Sequence, residues 1–379
     1  MKINSTLLAA GLGLVTGSVA FAQTNYVYIT GSTAARNAVY ATLTANGSVF
    51  DTNTTIATVT QGSGTPAKST YMTFVGTIGG VPYAVKCDWS GSEAGIADLA
   101  GGLSESFLAD GASSSSSSPG PFVTEPVDLC MADNNKAFSK NPQAAITGTE
   151  VCVIPFMLLK EVGSAADLTN VTSAQFRQAI VGGAKLALFT GNGSDTSFVY
   201  VTGRDDNSGT RVNTFGETAF GIFSLPLQVE LNSSGQMLDP NGDGSYETTE
   251  GYSSGGSVAT QMGVNCSSTT DQINGGTGIN VIGYVGISDA NTALGLGAVQ
   301  VAFNGVYESP TTVIQGQYSL WGNEYTYHKN AASSQALTVY GKLASTSNGI
   351  TKNSDGSTTI DLNLMQCART GPTTDPAHN

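Results

Sequence analysis

The chain has 379 residues, with 15 Lys and Arg against 28 Asp and Glu, a formal net charge of −13. So few cations cannot neutralise a nucleic-acid backbone or an anionic membrane surface, which removes both as expected partners. Any anion that this chain holds must be caught locally.

Residues 1–22 read as a secretory signal: Lys2, an apolar run from Leu7 to Val15, then Ala20-Phe21-Ala22 before Gln23. The apolar run is too short to span a bilayer, and no Cys follows it as a lipid attachment point. The expectation is a soluble, exported protein, periplasmic or secreted, that begins near Gln23. About 357 residues remain, more than one compact core usually holds, so two lobes are expected.

Along the chain, β-like runs alternate with helical patterns. "YVYIT" precedes "AARNAVYATL", and "VPYAVKC" precedes "AGIADLAGGL"; "VDLCMA" follows, then "VCVIPFMLL" before "TSAQFRQAIVGG", and "SFVYVTG" before "TRVNTFGETAFGIF". This rhythm predicts α/β layers with largely parallel sheets and binding at the carboxyl ends of strands. Two segments interrupt it, a Ser-rich surface loop at residues 111–122 and an acidic loop within residues 231–252. A short β-like "TTIDLNLM" lies in the polar tail.

Five cysteines, Cys87, Cys130, Cys152, Cys266 and Cys367, are widely spaced with no Cys-x-x-Cys pair, which suggests neither zinc nor a thioredoxin-like site. Export permits disulfides, and the odd count leaves at least one thiol free or paired between chains. Cys130 and Cys152, inside apolar runs, read equally well as small buried hydrophobes.

Three places share one design, a strand running into a Gly/Ser/Thr turn that opens a helix: Gly31-Ser32-Thr33, Ser90-Gly91-Ser92 and Asn207-Ser208-Gly209-Thr210. Helix N-termini present unpaired N–H groups and a positive dipole end, and a hydroxyl adds a donor. Together the three would hold a dehydrated oxyanion without many lysines, with Arg204 in "GRDDNSGTR" as the fixed bidentate charge. Any one of them alone reads as an ordinary helix cap.

In "DPNGDGSYETTE", Asp239, Asn241, Asp243, Ser245 and Glu250, with Gly244 and Glu247, fall on the spacing of a calcium-binding EF-hand loop. The flanks are β-like or loop-like rather than helical, so the reading is one structural calcium in an insertion, or else an acidic turn. No cofactor is required. The chain has two histidines, and His328 in "YTYHK" reads as a packing or surface residue, with no nucleophile elbow to serve. Trp89 fits a cleft wall or the core equally.

Taken in order, "ITGSTAARNAVY", "GSEAGIADLAGG", "VDLCMAD", "LTNVTSAQFRQAIVGG", "VTGRDDNSGTR" and "INVIGYVGISDA" resemble the periplasmic phosphate-binding proteins of phosphate ABC transporters. The resemblance implies a two-lobed type II periplasmic binding protein fold, each lobe a central sheet flanked by helices. Lobe 1 would take residues 24–153 and 281–379, and lobe 2 residues 154–280. It implies that Ser32, Thr33, Ala34 and Ser92 contact phosphate from one side, and Arg204, Ser208, Gly209 and Thr210 from the other. Asp133 would match the acidic ligand that accepts the proton phosphate carries and sulfate lacks, since an ionised carboxylate repels an acceptor-only ligand.

The implied role is capture of inorganic phosphate, or a related oxyanion, for an ABC transporter permease, with no bond to substrate made or broken. Departures from the family's pattern are Arg36 and Asn37 where a Pro is usual, Ala132 before the Asp, and no Asn-Trp after "AIVGG". Arg36 is read as decorating a helix surface rather than adding a second charge, and Asp206 as positioning Arg204. A second reading is a secreted cell-surface or structural protein that keeps the fold without transport; a phosphatase ranks last.

Overall fold

Strand β1 (Asn25–Gly31) opens a computed structural model that describes residues 23–117, 119–141, 145–369 and 376–378; the signal-like segment 1–22 lies outside the described residues. Helix α1 (Arg36–Thr44) follows, then β2 (Ala57–Gln61), β3 (Tyr71–Ile78) and β4 (Val81–Asp88), which leads into α2 (Ser92–Gly101). Between β3 and β4 the chain reverses through Gly79 and Gly80 at φ 60° and 76°, the left-handed pair that a tight hairpin turn requires. β5 (Ser104–Leu108) and β6 (Phe122–Pro126) pair across the Ser-rich loop. β7 (Leu129–Ala132) and the long β8 (Ile146–Lys160) come next.

The middle of the chain is built of shorter pieces. They are β9 (Asn170–Val171), α3 (Ser173–Ala179), β10 (Ala184–Lys185), α4 (Ala187–Thr190), β11 (Phe198–Thr202) and α5 (Gly209–Glu217). After them run α6 (Gly255–Met262), β12 (Asn280–Gly286), α7 (Ile287–Gly295), β13 (Val299–Gln300), β14 (Ala302–Phe303) and α8 (Pro310–Ile314). Thr172 and Gln175 close a reciprocal capping box at the start of α3. β15 (Trp321–Lys329) and α9 (Ser334–Leu343) complete the body, followed by β16 (Cys367–Arg369) and β17 (Pro376–His378).

One sheet runs through both halves in the order β10-β11-β12-β8-β15-β7-β1-β4-β3-β2. The joint is β8. Its residues 146–155 pair antiparallel with β15, and Phe156–Lys160 pair antiparallel with β12. Pro155 stands where the partner changes, a place that suits a residue with no N–H to give a ladder. Every residue of β8 from Val151 to Lys160 is buried, which explains its unbroken apolar run, since both faces carry helices.

The sheet is mixed rather than largely parallel. β1 lies parallel to β4 and β7, and β11 to β12, but β2, β3, β10 and β15 pair antiparallel. Strand-then-helix rhythm misreads the β2–β3–β4 meander and the two strands that return at β8 and β15. Residues 281–303 pair with the middle of the chain through β12, β13 and β14. The chain changes halves between Phe303 and Trp321, so a boundary drawn at Val281 does not coincide with a change of sheet partner. "TTIDLNLM" yields one bridge, Ile360 to Val153, and a single 3-10 turn at Leu362–Leu364.

Core residues Phe74, Val151, Phe156, Tyr284 and Trp321 belong to one contiguous apolar cluster that spans the joint. Trp89 is buried in the same cluster and serves packing. All five cysteines are buried and free, so the disulfide option is not taken up. Burial holds the Cys130 and Cys152 thiols well above their ordinary range, in the unreactive protonated form. Native protein should therefore be inert to a thiol reagent, and unfolding without reductant should release all five thiols per chain; a lower count in a colorimetric titration would reveal a disulfide.

Candidate anion-binding site

The three Gly/Ser/Thr turns, far apart in sequence, meet at the carboxyl ends of β1, β4 and β11. At the first, Gly31 is at φ 123° and presses on Met131: a Cβ there would fall 1.9 Å from the Met131 carbonyl oxygen. That approach lets Ser32 N–H donate to Met131 O at 2.8 Å, and Gly91 N–H donate to Gly31 O at 2.9 Å. Two of the turns are thus locked to each other and to β7. Across the cleft, Glu93 N–H donates to Asn207 O at 3.0 Å, which ties in the third.

Ser32, Ser92, Asp133, Arg204, Ser208, Gly209 and Thr210 are buried, and Thr33 and Ala34 are half-buried. Ser92, in the first turn of α2, spends its hydroxyl not on a cap but on Asp133, donating to Oδ1 at 2.9 Å while its oxygen accepts from Asp133 N–H at 3.2 Å. Gly209 faces the same carboxylate so closely that a Cβ would fall 1.6 Å from Asp133 Oδ1 and 2.7 Å from Ser92 Oγ. Ser208 does cap its helix, accepting from Arg211 N–H at 3.3 Å, and Ser32 accepts from Ala35 N–H at 3.3 Å. Capping and convergence coexist. Ala34 meets Gly286 at the end of β12, where a Cβ would lie 3.6 Å from Ala34 Cβ.

Arg204 follows β11 and is 2% exposed. Its Nε donates to Tyr252 O at 3.1 Å, Nη2 to Ser253 O at 2.9 Å and Nη1 to Thr33 Oγ1 at 3.4 Å. Backbone carbonyls therefore aim the guanidinium. Asp206, assigned that task from sequence, is exposed and faces Lys140 at 3.7 Å instead. The turn's second arginine, Arg211, donates to the carbonyls of Arg204, Thr249 and Glu250 and lies 5.1 Å from the Phe215 ring centre. It fastens α5 to the end of the acidic loop. Arg36 is no surface decoration either: it donates to Thr33 O at 2.8 Å and to Lys68 O at 2.9 Å. Burial lowers its pKa, Asp289 opposes that and Arg204 adds to it, which places a second guanidinium close to the first.

Two residues of the cluster were not legible as such. Asn213, four residues after Gly209 on α5, donates to Asp133 O at 2.7 Å and to Gly209 O at 3.0 Å, bridging the cleft. Its signal in sequence was a lone amide one helical turn after Gly209. Glu93, beside Ser92, accepts from Asn134, Ser139, Lys140 N–H and Asn141, and so shapes the loop after Asp133.

The acidic loop forms no comparable cluster. Both Asp239 oxygens accept backbone N–H groups of the loop itself, from Gly242 at 2.7 Å, Asp243 at 3.2 Å and Gly244 at 2.8 Å, and Asp243 accepts from Ser245 N–H at 2.9 Å. Glu250 is exposed. Among the described residues no group of three or more carboxylate, His or Cys side chains is gathered for a metal, and the hydrogen bonds of Asp239 and Asp243 are made within the loop itself. Asx-type turns account for this composition. His328 Nδ1 lies 2.7 Å from Lys329 O and its ring packs edge-on against Tyr340, the packing role expected of it.

Burial raises the Asp133 carboxyl to a pKa of about 6, against the pull of Ser92 and Arg204. An acid that binds its proton more tightly folded than unfolded stabilises the fold at low pH, and that contribution is lost as pH rises from about 4 to about 6. Asp133→Asn should thus match the ligand-free native chain below about pH 4 and exceed it by about 2–3 kcal/mol above about pH 6. Urea midpoints at the two ends of that window check the sign.

No known family's sequence pattern matches the chain, and no curated protein does. Solved structures do. A putative phosphate ABC transporter substrate-binding protein from Clostridium perfringens, with bound phosphate, superposes with a TM-score of 0.51 at 13% identity, over 89% of this chain and 100% of its own. An ABC-type phosphate transport receptor from Vibrio cholerae gives 0.43 at 12% identity, over 82% and 90%, and PstS from Borrelia burgdorferi 0.42 at 12%, over 89% and 98%. At such identities the first of these shares its fold with this chain. The chain has the α/β fold of a substrate-binding protein, a mixed central sheet flanked by helices.

Proposed function

We propose that the chain captures inorganic phosphate, or an oxyanion of the same shape, between two lobes and hands it to an ABC transporter permease, with no chemistry on the ligand. One observation carries this: Ser92 and Gly209, from two of the three turns, meet the buried carboxyl of Asp133, and the buried Arg204 reaches Thr33 of the remaining turn. A carboxyl has no place beside an anion unless one of the two is protonated, and hydrogen phosphate supplies that proton where sulfate does not. The Clostridium perfringens protein that shares the fold is described with bound phosphate, which supports the same reading. Residues 1–22 serve as the export signal, to be cleaved before Gln23. Among the described residues no helix is long and apolar enough to cross a membrane.

The cleft is held shut at its sides by Lys68, which donates to Ser288 O and Thr292 Oγ1, and by Lys140 with Asp206. Closure strips water from the ligand and strengthens each hydrogen bond to it. The intact donor cluster weighs against a structural protein that has lost its ligand.

Equilibrium dialysis with labelled phosphate should show one saturable site per chain. Arg204→Ala should weaken it about 10- to 100-fold, the worth of hydrogen bonds to a charged group; flat uptake by the unaltered chain refutes the proposal. Asp133→Asn should admit sulfate, measured by competition in the same cell. Sulfate still excluded by that variant would remove Asp133 from the selectivity.

A further inference from the structure

Strand β15 brings one more carboxyl to the back of the pocket. Glu324, in "WGNEYTYHK", is 0% exposed and sits opposite Cys152 of β8; between Glu324 and Tyr325 the register slips, the extra residue being Val151 on the β8 side. Two residues earlier, Gly322 packs on Asp133 so closely that a Cβ would lie 2.5 Å from the Asp133 carbonyl oxygen. Neither Glu324 oxygen has a hydrogen-bond partner, a rare condition for a buried acid.

Its neighbours are the Ser32 hydroxyl and the Asp133 carboxyl, the Cys130 and Cys152 thiols and the Tyr327 phenol. None of these is a cation. Burial, with Asp133 adding to it, holds Glu324 well above the usual carboxylate range, and Ser32 is the one group that opposes them. A buried acid in such company keeps its proton and becomes a donor.

We propose that Glu324 is a positioning residue for the anion, a neutral acid whose O–H is directed at Ser32 Oγ so that the Ser32 hydroxyl proton is left for the ligand. A serine hydroxyl has one proton and two acceptor sites. Ala35 N–H occupies one acceptor site, Glu324 takes the other, and the proton faces the pocket. Ionised, Glu324 becomes an acceptor instead: it draws the Ser32 proton to itself and sets a negative charge behind the anion. This rests on the reading of the pocket as a phosphate site.

Calorimetric titration of phosphate into the unaltered chain and into Glu324→Gln, from about pH 6 to about pH 10, tests it. The ionisation of phosphate and of Asp133 is common to both, so the ratio of their dissociation constants isolates position 324. The glutamine amide donates at every pH. The unaltered chain should lose affinity relative to the variant by about tenfold or more at the alkaline end, the scale of one unfavourable charge contact in a dry site. A ratio that stays constant overturns the role of Glu324. If Glu324→Gln does not fold, Ser32→Ala carries the test: without the hydroxyl the alkaline loss should shrink, and an undiminished loss overturns the proposal. A chain that takes no phosphate at any pH overturns the reading of the site, whereas binding with a flat ratio overturns the role of Glu324 alone.

Discussion

Asp133 and Gly209 meet so closely that nothing larger than hydrogen fits between the carboxylate and the α-carbon of the first residue of α5. The rest of the pocket depends on that contact. Gly209 is a glycine for space and not for backbone freedom, because it is absent from the residues at positive φ. Its bareness lets the N-terminus of α5 reach a carboxyl that belongs to the opposite half of the sheet, and Asn213 then bridges to the Asp133 carbonyl from the same helix. Charge and dipole are brought face to face without a cation between them, and burial pushes the carboxyl in that position up to about 6.

An acidic chain can hold an anion in this way because the donors are mostly not side-chain charges. The amides at the starts of α1, α2 and α5 belong to the backbone and are oriented before a ligand arrives. Of the arginines nearby, Arg204 is aimed by carbonyls, Arg36 is spent on Thr33 O and Lys68 O, and Arg211 is spent on loop carbonyls. Net charge and local potential are separate quantities here. The counterweight is a set of carboxyls, Glu93, Asp133 and Glu324, whose ionised forms are all disfavoured by burial.

Much of this was legible in sequence because it is local. A strand followed by Gly, Ser or Thr and a helical period marks each of the three turns, and all three lead helices in the structure. What failed to show was non-local. The antiparallel β2–β3–β4 meander and the return of β15 beside β8 depend on pairings between distant segments. Nothing in the sequence singled out Glu324, since its burial depends on where β15 lands between distant strands. Arg36 and Asp206 were assigned by proximity in sequence, and each faces a partner that only the folded chain supplies. The acidic spacing at 239–250 matched a calcium loop because turns and calcium loops draw on the same Asp, Asn and Gly.

Tyr252 is bound on both sides to the strand that ends in the site: its N–H donates to Gly203 O and its carbonyl accepts from Asp205 N–H, while the same carbonyl and that of Ser253 hold Arg204. Main-chain oxygen is the same in every residue. The exposed tip of the excursion from Leu231 to Tyr252, residues 240–244, is accordingly free to drift in composition, whereas Leu231 and Met237 are core residues and Gly251, at φ 85°, lies against the Gly203 and Arg204 carbonyls. A proline at 252 would remove the N–H that pins the excursion's return, and the guanidinium would register an edit made outside the pocket.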